Sequence, residues 1–260
     1  MKLLKIFFVS LILFISCSKK STDPVIVGLS APSNLLVEER GMHAIYLSWI
    51  DNSTNEVGFI IERSPEDSLG FMVLDTLVEN TISFIDSGLT VGKIYFYRVS
   101  AFNEEKISEY SNIVGAKTLI STIYFTPDST VLPIDNEIGV DIILENFETT
   151  MFGISLRINY DSTLVSFTDS TGFSPGNIFD SNAIVFTKAE NSIIYLTLTQ
   201  VQGQSQVSGT GTLGSLTFKG ETAGNCTIQI IQDKLNLYDN LGNQIALPEM
   251  EFETAIIQVQ

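Results

Sequence analysis

Hydrophobic residues make up 44% of these 260 residues and charged ones 17%, a balance that excludes a disordered chain and leaves apolar surface for more than one core. Acids outnumber bases 30 to 14, for a formal charge of −16. No basic patch offsets them, so nucleic-acid binding is excluded as a function class. With His43 the only histidine, His-dependent triads and most zinc sites fall away as well.

The chain opens with Lys2 and Lys5, an apolar run from Ile6 to Ile15, then Ser16 and Cys17. A positive start, a short apolar stretch and a small residue before the break make a secretory signal. A run of ten residues is about half of the roughly 20 that a spanning helix needs. Phe14-Ile15-Ser16-Cys17 resembles the lipobox of bacterial lipoproteins. That resemblance implies a signal over residues 1–17 and a lipid anchor on Cys17; an ordinary signal peptide cut elsewhere would discard the cysteine. Each buried methylene contributes about 0.8 kcal/mol, so several acyl chains hold firmly where one binds marginally. Ser18 after the cysteine, in place of an aspartate, implies an outer-membrane or cell-surface location by the same resemblance. Residues 18–30 are polar and Pro-punctuated and read as a tether.

From 31 to 118 short extended runs recur with turn signals between them: Ile45–Trp49, Gly58–Arg63, Phe71–Leu74, Ile82–Ile85 and Lys93–Asn103. Strands at this spacing without helical segments predict a β-sandwich. Tyr95, Tyr97, Val99 and Ala101 alternate inward, and Leu89 stands where the Tyr95 hydroxyl can bond back to its turn. Pro32, Leu47-Ser48-Trp49, Gly58-Phe59-Ile60-Ile61-Glu62-Arg63, Leu89, Tyr95 and Ser111-Asn112 together resemble a fibronectin type III domain. The resemblance implies a buried Trp49 and a spacer role.

From 121 to 260 only strands are predicted again: Ile138–Leu144, Ile154–Tyr160, Ala183–Thr187, Ile193–Thr199, Leu213–Phe218, Cys226–Ile231 and Ala255–Val259. In Gly153–Phe167, Ile154, Leu156, Ile158 and Tyr160 alternate with Ser155, Arg157 and Asn159, the pattern of a half-buried strand. Asp161-Ser162 breaks it, and Leu164–Phe167 resumes an extended run. With no 3.6-residue apolar period, the reading is two stacked sheets in a jelly-roll-like sandwich. The fold class for the chain is therefore all-β, two β-sandwich domains.

Tyr124-Phe125-x-Pro127, the Gly153–Asp161 strand, Gly172, the Gly209-x-Gly211-x-Leu213-Gly214-x-Leu216-x-Phe218 stretch, Gly224 and Asp239-x-x-Gly242-x-x-Ile245 resemble the cohesin module. In that family one sheet face docks a small calcium-loaded module, dockerin. Carried over strand by strand, the resemblance implies a partner-binding face of Ser155, Arg157, Asn159, Tyr195, Thr197, Leu213, Ser215 and Thr217. Leu213 and Tyr195 are its large anchors, unless a register slip of one residue puts them inside.

Nothing in the chain points to catalysis or a bound cofactor. Gly209–Gly214 fits G-x-G-x-x-G, but a strand follows where a dinucleotide site needs a helix. Cys226 reads as a buried small apolar side chain. Asp233 and Asp239-Asn240 lack the spacing of a calcium loop. The expectation is a non-catalytic, lipid-anchored surface protein that docks dockerin-type or other secreted proteins, in a setting of polysaccharide degradation. The alternative is direct polysaccharide binding on the same face.

Overall fold

In a computed structural model, residues 28–169 and 171–260 are described; the signal segment, Cys17 and the tether up to residue 27 lie outside them. The described residues form strands throughout, with one 3-10 turn at Gln232–Lys234 and no α-helix among them. The all-β sandwich architecture expected from the strand spacing is the one observed. Buried apolar residues fall into two clusters, one running from Leu35 to Ala116 and the other from Ile123 to Val259.

The first cluster fills the space between two sheets. One holds Ser33–Arg40, Ala44–Ile50 and Ser83–Ser87. The other holds Met72–Val78, Gly58–Pro65, Ile94–Phe102, Ile107–Tyr110 and Val114–Lys117. Ser33–Arg40 escaped the sequence reading because two register shifts against Ala44–Ile50 break its alternation. Trp49 is buried, its ring centroid 5.9 Å from that of Phe59. The backbone N–H of Thr90 donates to the Tyr95 hydroxyl at 3.1 Å, closing the turn after Leu89 as expected. Beneath it, the buried Asp86 carboxylate accepts from Arg63 at 2.9 Å and from the Tyr97 hydroxyl at 2.8 Å. Burial first, and then the bond to Asp86, push the Tyr97 phenol far above its ordinary range.

The second cluster lies between a six-stranded and an eight-stranded sheet. The six-stranded sheet runs Val165–Phe167, Val207–Gly220, Glu137–Met151, Ser121–Thr126 and Met250–Phe252, with Phe173–Pro175 also paired to Val207–Gly220. The eight-stranded sheet runs Ser129–Leu132, Ala255–Val259, Gly224–Ile230, Gly153–Asn159, Ile193–Thr199 and Ile184–Glu190, with Asn236–Tyr238 and Gln244–Ile245 alongside. Gly153–Asn159 behaves as its alternation predicts: Ile154, Leu156 and Ile158 are buried. Asp161 then turns the chain by accepting from the Thr163 hydroxyl at 2.7 Å and the Thr163 N–H at 2.9 Å. Those bonds hold its carboxyl below the ordinary range. Past this turn the chain has crossed to the opposite sheet, where Val165–Phe167 pairs with Val207–Gly220.

The two sandwiches meet through named contacts. Leu119 N donates to Gly41 O at 3.0 Å, and Lys117 pairs with Glu251 at 3.0 Å. The exposed His43 places Nδ1 2.9 Å from Leu89 O and Nε2 3.3 Å from Glu148.

Candidate interaction face

Ile193–Thr199 lies between Gly153–Asn159 and Ile184–Glu190, antiparallel to both, and this register fixes four rows across the sheet. Gly153, Thr199 and Ile184 form the first row, Ser155, Thr197 and Phe186 the second. Arg157, Tyr195 and Lys188 form the third, Asn159, Ile193 and Glu190 the fourth. Because neighbouring strands stand about 4.8 Å apart, each row spans roughly 10 Å of continuous surface. Every second residue on these strands turns toward the core instead, with Leu156, Leu196, Leu198 and Ile194 buried there.

Five of the eight residues assigned to a partner-binding face come together on this surface. Thr197 Oγ1 donates to Ser155 Oγ at 3.2 Å across one row. In the next, the Arg157 guanidinium lies over the Tyr195 ring, 5.1 Å from its centroid. Asn159 stands beside them on the same strand, outward like Ser155 and Arg157.

The other three do not join them. Leu213 is only 1% exposed and belongs to the core, so its assignment as an outward anchor is corrected. Along Val207–Gly220, Gly214 pairs with Ile142 but Thr212 already pairs with Ile143. Leu213 is therefore the extra residue of a β-bulge, and the bulge shifts the alternation by one, turning Leu213 inward. Ser215 and Thr217 do face away from the core, but on the opposite sheet. There Phe173–Pro175 pairs alongside their strand, Ser174 opposite Ser215, and Thr217 N donates to Gly172 O at 2.7 Å. The eight residues thus do not share one surface.

The sequence reading missed the most exposed apolar side chains of the face, Phe186 at 66% and Ile184 at 45%. The signal was present in Ile184–Glu190. Lys188 and Glu190 belong outside, and the same parity places Phe186 and Ile184 outside too, leaving the smaller Val185, Thr187 and Ala189 to face the core. An aromatic side chain is thus left on the solvent side while smaller residues turn inward.

The glycine-rich stretch has a packing role. A Cβ on Gly214 would collide with the Phe173 ring and with Ser174 O, and one on Gly211 would press on Ile178. The glycines let residues 173–178 run closely alongside this strand, and the strand continues past them with no helix opening. Among the described residues no group of three His, Cys, Asp or Glu is placed to hold a metal ion. Asp239 Oδ1 accepts from Leu241 N at 2.9 Å and Asn243 N at 2.8 Å, and Oδ2 from Asn243 Nδ2 at 3.0 Å, so its carboxylate closes a turn. Burial pushes the Cys226 thiol up, which leaves it a poor nucleophile.

Compared with known protein families, residues 125–248 match the cohesin domain. Among solved structures, the chain is similar to a type II cohesin domain from the cellulosome of Acetivibrio cellulolyticus, at 18% identity over 53% of this chain and 95% of that one, with a TM-score of 0.44. It is also similar to the third ScaC cohesin of A. cellulolyticus in complex with the ScaB dockerin, at 15% identity over 54% and 99% of the two chains and a TM-score of 0.44. A third likeness is to CaCohA2 from Clostridium acetobutylicum, at 18% identity over 55% and 93% and a TM-score of 0.43.

Proposed function

We propose that residues 121–260 form a non-catalytic docking domain that binds dockerin-type modules of secreted proteins through the outer face of the Ile184–Glu190, Ile193–Thr199 and Gly153–Asn159 strands. The observation that carries this reading is Phe186, 66% exposed and one row from Tyr195 and Arg157, within the segment that matches the cohesin domain. Aromatic and arginine side chains on a flat sheet are the residue types that anchor protein partners. On this reading Cys17 supplies the lipid anchor, the fibronectin type III-like unit is a spacer, and the setting is polysaccharide degradation at the cell envelope. The alternative, direct polysaccharide binding, needs several open aromatic platforms, and with Arg157 over the Tyr195 ring this face leaves Phe186 alone.

The test is calorimetric titration of the full chain with a calcium-loaded dockerin module. Phe186→Ala together with Tyr195→Ala should weaken binding about tenfold or more, whereas Ser215→Ala with Thr217→Ala should leave it unchanged. Affinity that survives the first pair, or falls with the second, would rule out this face.

A further inference from the structure

The few bases of this acidic domain gather at the candidate face. Residues 121–260 contain 16 acids and only four bases, Arg157, Lys188, Lys219 and Lys234, a balance of −12. Lys219 belongs to the opposite sheet, where it pairs with Asp135 at 2.9 Å. Arg157 and Lys188 stand in one row of the candidate face, flanking Tyr195. Lys234 sits in the 3-10 turn beside Arg157, where Ile231 N donates to Arg157 O at 2.8 Å.

The acids near these bases are already engaged. Glu190 pairs with Lys188 at 2.6 Å and Asp233 with Lys234 at 2.8 Å, while Asp169, also near Lys188, accepts from Ala189 N at 2.6 Å. Arg157 is left: among the described residues no carboxylate lies within ion-pairing distance of it. The arginines of the first sandwich differ, Arg63 meeting Asp86 and Arg98 meeting Glu62. The outward neighbours of Arg157 are neutral on its own strand, Ser155 and Asn159, and include the neutral Thr197 and Gln229 on the adjoining ones. At its centre the face therefore carries the Arg157 guanidinium without a carboxylate partner, held in place by stacking on Tyr195 and bordered by the apolar Phe186 and Ile184.

We infer that the partner presents carboxylates, with an apolar side chain beside them: a secreted protein module whose contact surface is acidic where it meets Arg157 and Lys188. This inference rests on the docking reading above and specifies the chemistry of its partner. A guanidinium stacked on an aromatic ring keeps its in-plane N–H donors free for a carboxylate, the geometry in which arginine binds most specifically. A partner with lysine or arginine at that point would be drawn toward the domain by its overall acidity and then meet a like charge at contact.

The experiment uses the full chain and one calcium-loaded dockerin module made in two forms, with glutamates or with lysines at the exposed positions of its contact surface. The glutamate form should bind wild type, and Arg157→Glu should weaken that binding about tenfold or more. The lysine form should bind wild type weakly and recover on Arg157→Glu, while Lys219→Glu changes neither. Lysine-form binding equal to or tighter than glutamate-form binding to wild type would overturn the charge inference and leave the docking reading standing. Binding of neither form would overturn both, as would retention on an acidic polysaccharide such as polygalacturonate alone.

Discussion

Replacing Leu213 by alanine separates a core residue from an exposed anchor. The side chain is 1% exposed and packed in the cluster that joins the two sheets of the second sandwich. Truncating a buried leucine removes its transfer free energy and leaves a partly collapsed cavity, together about 3 kcal/mol. With a urea dependence of about 1.5 kcal/mol per molar for a domain of this size, the unfolding midpoint should drop by about 2 M. Trp49 is the only tryptophan and is buried in the first sandwich, so its emission follows that unit, whereas far-UV circular dichroism follows both. Leu213→Ala should shift the dichroism transition and leave the tryptophan transition in place. Phe186→Ala, at an exposed position, should move neither by more than about 0.5 kcal/mol. Loss of docking with the dichroism transition unmoved would return Leu213 to the surface and refute the bulge assignment.

Two further outcomes follow from the packing. Gly214→Ala places a methyl against the Phe173 ring and should destabilise the second sandwich by about 1–3 kcal/mol in the same dichroism assay; an unchanged midpoint would deny the close approach of residues 173–178. Tyr97 holds its proton in the folded state after the unfolded chain, titrating near pH 10, has lost it. The stability of the first sandwich should therefore hold up to about pH 10 and fall above it by about 1.4 kcal/mol per pH unit. Tyr97→Phe should flatten that slope in tryptophan-monitored denaturation, and parallel slopes would contradict the buried bond to Asp86.

Much of the candidate face could be read from residue order. Ser155, Arg157 and Asn159 alternate with large apolar residues without interruption, so one regular strand fixes which side each occupies. The same rule, applied through Lys188 and Glu190, would have exposed Phe186, which was overlooked. Leu213 could not be placed this way, because strand periodicity holds only until a residue is inserted. The bulge opposite Ile142 and Ile143 exists only where two distant strands pair.

Local alternation, turn chemistry and the absence of a helical period determined that this chain is all-β and which strand carries Arg157. Tertiary structure alone decided which strands share a surface. Sheet membership depends on pairing between residues such as Arg157 and Tyr195, 38 positions apart, or Ser215 and Ser174, 41 apart on the opposite layer. A strand's own pattern says which of its residues face out but not which of two sheets it joins, since either sheet buries the same apolar side equally well.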